Sequence, residues 1–237
     1  LMKAKRAILF DLDGTLLPMD QDVFTKGYFR LLAAKLAPYG YDPQLLIGSL
    51  WKGVSAMVKN NGEETNSQRF WETFNREMGR DCRVDDPIFD SFYRNEFHGA
   101  KEFTQPNHRA RALVAAAREK ADLVILSTNP IFPRCGQQSR LSWLGLSDTE
   151  FDWVTDYDNS HFCKPNPAYF REILERFSLR PEDCLLVGND MEEDRGPAEA
   201  LGIPSFLITD CLINPQNRPV AAPCGTADDA LAFLQTL

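Results

Sequence analysis

The sequence predicts an α/β protein: a doubly wound parallel sheet core with an inserted helical cap domain. Three observations lead there. Short apolar runs without polar alternation recur along the chain, as strands buried on both faces require. Helical patterns separate most of them. Polar residues follow the main runs at once, at the carboxyl ends of strands where such sheets carry their ligands.

The first run, Arg6-Ala7-Ile8-Leu9-Phe10, stops at Asp11-Leu12-Asp13-Gly14-Thr15. From Asp11 to Thr128 is 117 residues, from Thr128 to Lys164 is 36, and from Lys164 to Asp190 is 26. A strand–helix–strand unit takes about 30 residues, so the later gaps fit simple crossovers and the first holds an insertion of roughly 80. Inside it, Val23 to Leu36, Pro43 to Val58 and Ser67 to Met78 read as helices, punctuated by Gly40, Gly62 and Pro87. The expected partition is a core of residues 1–17 and 101–237 and a helical cap of residues 18–100.

Beyond the insertion, Asn107 to Lys120 reads as a helix rich in alanine, arginine and leucine. The strand Leu123–Leu126 follows, ending in Ser127-Thr128-Asn129-Pro130. Pro133 to Leu144 is a helix and Phe151–Thr155 a weaker strand. Asn166 is the expected N-cap of a helix from Pro167 to Phe177, with Phe170, Ile173, Leu174 and Phe177 on one stripe. Cys184–Val187 is a strand leading into Gly188-Asn189-Asp190. Pro197 to Leu201 is a short helix ended by Gly202. Ser205–Thr209 is the last strand and Ala227–Leu234 a terminal helix. The segment from Asn214 to Thr226, rich in proline and polar residues, reads as a surface connection.

Composition excludes several classes. At 43% hydrophobic and 25% charged, the chain is an ordinary globular one. Its formal charge of −8 argues against nucleic acid as a partner, because phosphate backbones need a basic face. No run approaches the roughly 20 apolar residues of a membrane span. The apolar patch after the basic start is cut by Asp11, too soon for a signal peptide. A cytoplasmic location is therefore expected, with the six scattered cysteines as reduced thiols. His98, His108 and His161 show no metal-ligand spacing. In the insertion, Lys26, Arg30, Lys52, Lys59 and Arg76 are candidate substrate contacts, though most such charges lie on solvated helix faces.

The chemistry concentrates at the strand ends. Asp11 and Asp13 are two apart, so their carboxylates can face the same way. Two carboxylates side by side repel unless a cation or a proton intervenes. If Asp190 and Asp194 reach the same edge, four acids converge. Such a cluster asks for a hard divalent ion held by oxygen, and magnesium is the usual partner of phosphates. Lys164 supplies a positive charge just ahead of a helix N-terminus, a position suited to an anion.

These residues resemble the four motifs of the haloacid dehalogenase-like hydrolases, in that family's order. Asp11-Leu12-Asp13-Gly14-Thr15 is similar to the first, Leu126-Ser127-Thr128-Asn129 to the second, Lys164-Pro165-Asn166-Pro167 to the third and Val187-Gly188-Asn189-Asp190-Met191-Glu192-Glu193-Asp194 to the fourth. The resemblance implies a Rossmann-like core and a magnesium-dependent phosphatase acting on a small phosphorylated metabolite. It implies Asp11 as nucleophile, Asp13 as general acid and base, and Thr15, Thr128, Asn129 and Lys164 as substrate contacts, with Thr128 and Lys164 on the phosphoryl group. Magnesium would be held by Asp11, the Asp13 carbonyl and the fourth motif. That motif departs from the family pattern: Asn189 follows Gly188 and Asp190 comes one place later, so either could ligate directly, with Asp190 preferred and Asp194 acting through water. A phosphomutase uses the same intermediate. A dehalogenase does not need Asp13, and a signalling receiver lacks so long an insertion. A phosphate-binding protein without turnover would not need the full set.

Overall fold

The computed structural model describes residues 4–237. Strands β1 (Lys5–Phe10), β2 (Ala121–Leu126), β3 (Trp153–Val154), β4 (Cys184–Gly188), β5 (Ser205–Ile208) and β6 (Cys224–Gly225) form one sheet in the order β3-β2-β1-β4-β5-β6. Every pairing is parallel. The chain winds outward from β1 through β2 and β3, then crosses to the other side for β4, β5 and β6. The reversal lies between β1 and β4, where such sheets open a crevice at their carboxyl ends. Phe10 pairs with Leu126 on one side and Val187 on the other. That register makes Asp11, Ser127 and Gly188 leave the sheet at one level.

The apolar runs are strands because both faces are covered. Ile8, Phe10, Val124 and Val187 join one cluster with α5 (Ala110–Lys120), α6 (Arg134–Trp143) and α9 (Ala227–Thr236). Ala7, Leu9, Ile125 and Leu186 join the other with α7 (Ala168–Arg176) and α8 (Gly196–Leu201). Each fully buried large side chain of this kind contributes about 1.5–3 kcal/mol.

Between β1 and β2 the chain is helical: α1 (Gln21–Leu36), α2 (Pro43–Val58), α3 (Asn66–Met78), α4 (Asp86–Arg94) and a 3-10 segment, Glu96–Phe103. Local chemistry starts each of the first three. Asp20 accepts from the Val23 amide, Asp42 from those of Gln44 and Leu45, and Thr65 and Gln68 form a reciprocal capping box. The segment leaves and returns through paired linkers, with an antiparallel bridge between Met19 and Thr104 and a 2.8 Å hydrogen bond from the Gln105 amide to the Pro18 carbonyl. Its apolar residues are continuous with the sheet cluster that contains Phe10 and Val124.

Four details differ from the sequence expectations. α4 was missed because Pro87 reads as punctuation, whereas it occupies the first turn of a helix, where its missing N–H costs nothing. β3 is two residues, not five: the Asp152 carboxylate takes the Val124 amide at 2.8 Å in place of a ladder partner. Asn166 does accept from the Ala168 amide at 2.9 Å, but the helix begins at Ala168 rather than Pro167. Finally, the connection from Asn214 to Thr226 is not only surface, since Cys224–Gly225 closes the sheet edge as β6.

The insertion is pinned to the core at the start of α3. Asn66 is fully buried, and its side-chain amide donates to the Pro130 and Phe162 carbonyls, both at 3.3 Å. The Asn66 and Ser67 amides donate to the Ser160 and Tyr157 carbonyls at 2.9 and 2.7 Å. Asn66→Ala leaves buried carbonyls without partners. It is expected to lower the unfolding free energy by about 1–3 kcal/mol, read from the shift of a urea midpoint at unchanged slope.

Candidate active site

Asp11 leaves β1 with its amide still bonded to the Val187 carbonyl at 2.9 Å, so its side chain stands at the crevice between β1 and β4. One carboxylate oxygen accepts from Lys164 Nζ at 2.8 Å, and the other lies 3.0 Å from the Thr15 hydroxyl. Lys164 is almost wholly buried and also donates to Asp194 Oδ1 at 2.6 Å. Burial opposes the charge on Lys164, but Asp11 and Asp194 outweigh it and hold its pKa well above the ordinary lysine value. Burial pushes the Asp11 carboxyl up to about 7, because Lys164 offsets it only in part and Asp194 adds repulsion.

Asp194 uses both oxygens. Oδ1 takes Lys164, and Oδ2 accepts from the Asn189 and Asp190 amides at 3.0 and 3.1 Å. A Cβ on Gly188 would sit 2.4 Å from that same Oδ2, so only glycine lets β4 run this close. Asp190 caps a single π turn, Met191–Arg195, accepting from the Glu192 and Glu193 amides at 2.6 and 2.9 Å. Asp190 borders the cavity, and burial raises its carboxyl pKa above the usual carboxylate value. The Asn189 amide group is spent: Nδ2 donates to the Cys211 carbonyl at 2.7 Å, and Oδ1 lies 2.9 Å from the Thr15 hydroxyl. Gly14, at φ +90°, gives that side chain room.

Asp13 borders the cavity beside Asp11. Its Oδ2 forms a short ion pair with Arg140, while Oδ1 is buried without a hydrogen-bond partner among the described residues. Arg140 is fully buried on α6, also bonded to Gln137 Oε1, and its guanidinium lies 4.1 Å over the Phe132 ring.

Thr128 and Asn129 follow β2. Thr128 borders the cavity, and its carbonyl is fixed by the Thr155 and Tyr169 hydroxyls at 2.7 and 2.9 Å. Asn129 Oδ1 accepts from the Lys164 amide at 3.2 Å, and its Nδ2 donates to Glu193 at 3.1 Å. Asn129 therefore ties the lysine loop to the π turn. Burial pushes the Glu193 carboxyl up to about 7.

The fold thus gathers Asp11, Asp13, Thr128, Asn129, Lys164, Asn189, Asp190 and Asp194 at one edge. Two of the predicted residues do not border the cavity: Thr15 lies behind Asp11, between it and Asn189, and Lys164 is buried between Asp11 and Asp194. The basic residues singled out in the insertion do not border it either; Arg30 pairs with Glu102 and Lys52 with Glu77. His161 is held by Glu172 at 2.6 Å, and Cys163 accepts from Asn66. Sequence reasoning missed Arg140, whose only signal is a charge among the inward residues of its helix, and Asn66, which looks like an ordinary helix start.

The cavity of about 190 Å³ above these acids is closed on its far side by α1, α2, α3 and α4. Its donors suit a hard cation. Asp11 and Asp190 offer carboxylate oxygens and Asp13 a backbone carbonyl, and no cysteine or histidine among the described residues lines the cavity. Among the described residues no three acidic, histidine or cysteine side chains gather closely enough to hold an ion alone, so the carbonyl and water would complete the shell.

An acidic crevice at the switch point of a parallel sheet, closed by inserted helices, defines an enzyme of the doubly wound α/β class. The sequence model of the haloacid dehalogenase-like hydrolases matches residues 5–202, and the chain belongs to that family. It is 25% identical over 90% of its length to N-acetylmuramic acid 6-phosphate phosphatase of Pseudomonas putida, covering 87% of that protein. It superposes with a TM-score of 0.60 on 2-haloacid dehalogenase from Pseudomonas syringae pv. tomato, at 17% identity and 98% of both chains. It also superposes on the hydrolase YfnB of Bacillus subtilis, solved with magnesium, with a TM-score of 0.57, 17% identity and 99% and 100% coverage. At that identity the structural matches establish the fold alone. No helix among the described residues is long and apolar enough to cross a membrane.

Removing the buried cation tests the cluster directly. Lys164→Met leaves Asp11 and Asp194 facing each other without a counter-charge. Breaking a buried pair this way costs about 3–5 kcal/mol, so the variant is expected to unfold at a correspondingly lower urea concentration at neutral pH.

Proposed function

We propose that this hydrolase is a magnesium-dependent phosphatase that cleaves a phosphate monoester of a small metabolite through an aspartyl phosphate on Asp11. The observation that carries the reading is the pairing of a lysine-bound Asp11 with an Asp13 whose Oδ1 is buried and unpartnered. A dehalogenase would need the first aspartate but not the second. The phosphatase among its relatives supports the same choice.

Asp11 attacks phosphorus and the ester P–O bond breaks. Asp13 gives the departing alkoxide a proton, with Arg140 holding its carboxyl beside Asp11. Water then attacks the phosphoenzyme, the bond to Asp11 breaks and the Asp13 carboxylate takes the water's proton. The net change is ester plus water to alcohol plus phosphate. Lys164 balances the negative charge of nucleophile and phosphoryl group, Thr128 contacts a phosphoryl oxygen, and Asn129 positions Lys164. Thr15 holds the Asp11 carboxylate in its rotamer. Magnesium, when bound by Asp11, the Asp13 carbonyl and Asp190, supplies the positive charge that lets an anion approach an anion. Asp190 is the better direct ligand, because the Asn189 amide is already engaged; Asp194 supports the loop and Lys164. The helices of residues 18–100 act as a cap that excludes water from the reaction.

Hydrolysis of p-nitrophenyl phosphate is expected to require magnesium. Asp11→Asn should lower kcat/KM at least about 1,000-fold, as loss of a nucleophile acting in concert with its neighbours does. Asp13→Asn should lose about 10²–10⁴-fold, the worth of a positioned acid. Phosphatase activity surviving Asp11→Asn, or halide release from 2-chloropropionate by the parent protein, would overturn the reading.

A further inference from the structure

The cavity over Asp11 has two unlike ends. Its charged residues are all acids, all at the sheet edge: Asp11, Asp13, Asp190, Glu193 and Asp194. No lysine or arginine among the described residues borders it. The far end is built of rings: Phe24, Tyr28 and Phe29 from α1, Trp71 from α3, Phe89 from α4, and Phe132 after β2. Leu32, Leu50 and Val54 fill between them. Trp71 meets Phe89 edge to face at 5.5 Å, and Tyr28 meets Phe132 at 5.4 Å, so the wall is a packed aromatic surface. A further ring of the lining, Phe70 on α3, has its room made by Gly53, where a Cβ would fall 2.6 Å from it.

We infer that the leaving group is an uncharged, apolar alcohol of about one ring, seated on this aromatic wall while the phosphate lies at the acids. The inference rests on the phosphatase reading and narrows its substrate. A carboxylate or second phosphate on the leaving group would be buried with no cation to meet it. A polyol would leave most of its hydroxyls against rings, since Gln21 and Thr25 of α1 are few polar groups among many aromatic ones. A quaternary ammonium would gain cation–π attraction from the rings but meet no acid among them, since the acids stand at the sheet edge, so phosphocholine is the rival that the test must separate from a neutral ring. A neutral apolar group loses nothing on entry and buries its surface. The volume, about 190 Å³, lies below the roughly 300–1,000 Å³ of pockets for drug-sized ligands, which limits the group to a compact one.

The test uses the full chain with magnesium and compares benzyl phosphate with phosphoglycolate, glucose 6-phosphate and phosphocholine. All are alkyl esters, so a good phenolate leaving group does not bias the result. The kcat/KM for benzyl phosphate is expected to exceed the others at least about tenfold. Val54→Lys places a cation in the wall from a half-exposed position on α2 and should move the benzyl phosphate to phosphoglycolate ratio at least about tenfold toward phosphoglycolate. Binding of benzylphosphonate against phosphonoacetate, followed by calorimetry, reads the pocket without turnover, and benzylphosphonate should bind more tightly. Preference for any of the other three esters, or phosphonoacetate binding as tightly as benzylphosphonate, overturns the inference and leaves the phosphatase reading intact. Absence of turnover on all four esters with tighter benzylphosphonate binding has the opposite meaning: the pocket chemistry holds and the phosphatase reading fails.

Discussion

The buried ammonium of Lys164 between Asp11 and Asp194 is the interaction on which the rest of the site depends. Three ionic groups are taken out of water together, which is costly unless each finds several partners. Here each does. Asp11 has Thr15 as well as Lys164, and Asp194 has two backbone amides. Lys164 is held from behind by Asn129 through its own amide. The same oxygen of Asp194 that takes those amides excludes a Cβ at Gly188. The turn after β4, the loop after β2 and the strand end of β1 are thereby locked into one geometry by charge. The π turn Met191–Arg195 starts from this locked segment, capped by Asp190.

A second constraint comes from the insertion. Its helices do not rest on the sheet as a separate body of polar surface, because their apolar residues continue the cluster that buries Phe10 and Val124. They meet the core again at Asn66 and through the paired linkers. The result is a site with a polar floor and an aromatic roof. The floor is fixed by ion pairs and the roof by ring packing; in the proposed reaction the floor takes the phosphate and the roof what the phosphate is attached to. Arg140 joins the two, bonded to Asp13 below and stacked on Phe132 beside it.

Much of the site was legible because its residues follow strands. A buried parallel strand must be apolar until it ends, so the first polar residue after Phe10, Leu126 and Val187 marks the crevice without any knowledge of the pairing. The spacing showed where the insertion lay, since a crossover has a limited length. Other features carry no such mark. Arg140 is one arginine in a helix, and its burial depends on α6 facing Asp13. Asn66 resembles any helix start, and its importance comes from carbonyls about 64 and 96 residues away. Pro87 carried a misleading mark, because proline breaks a helix interior but suits a first turn.

By itself the sequence determined the alternation of strands and helices, the acids and lysine at the strand ends, and the presence of a long helical insertion. These are local facts of burial and periodicity, written into consecutive residues. Only the tertiary structure decided which oxygens are spent and which are free. It put the Asn189 amide on Cys211 and Thr15, left Asp13 Oδ1 unpartnered, and drew Thr15 behind Asp11. It also decided that the insertion turns rings rather than its lysines and arginines toward the acids. Those outcomes depend on contacts between residues far apart in the chain, and such contacts are fixed by packing, which no local pattern encodes.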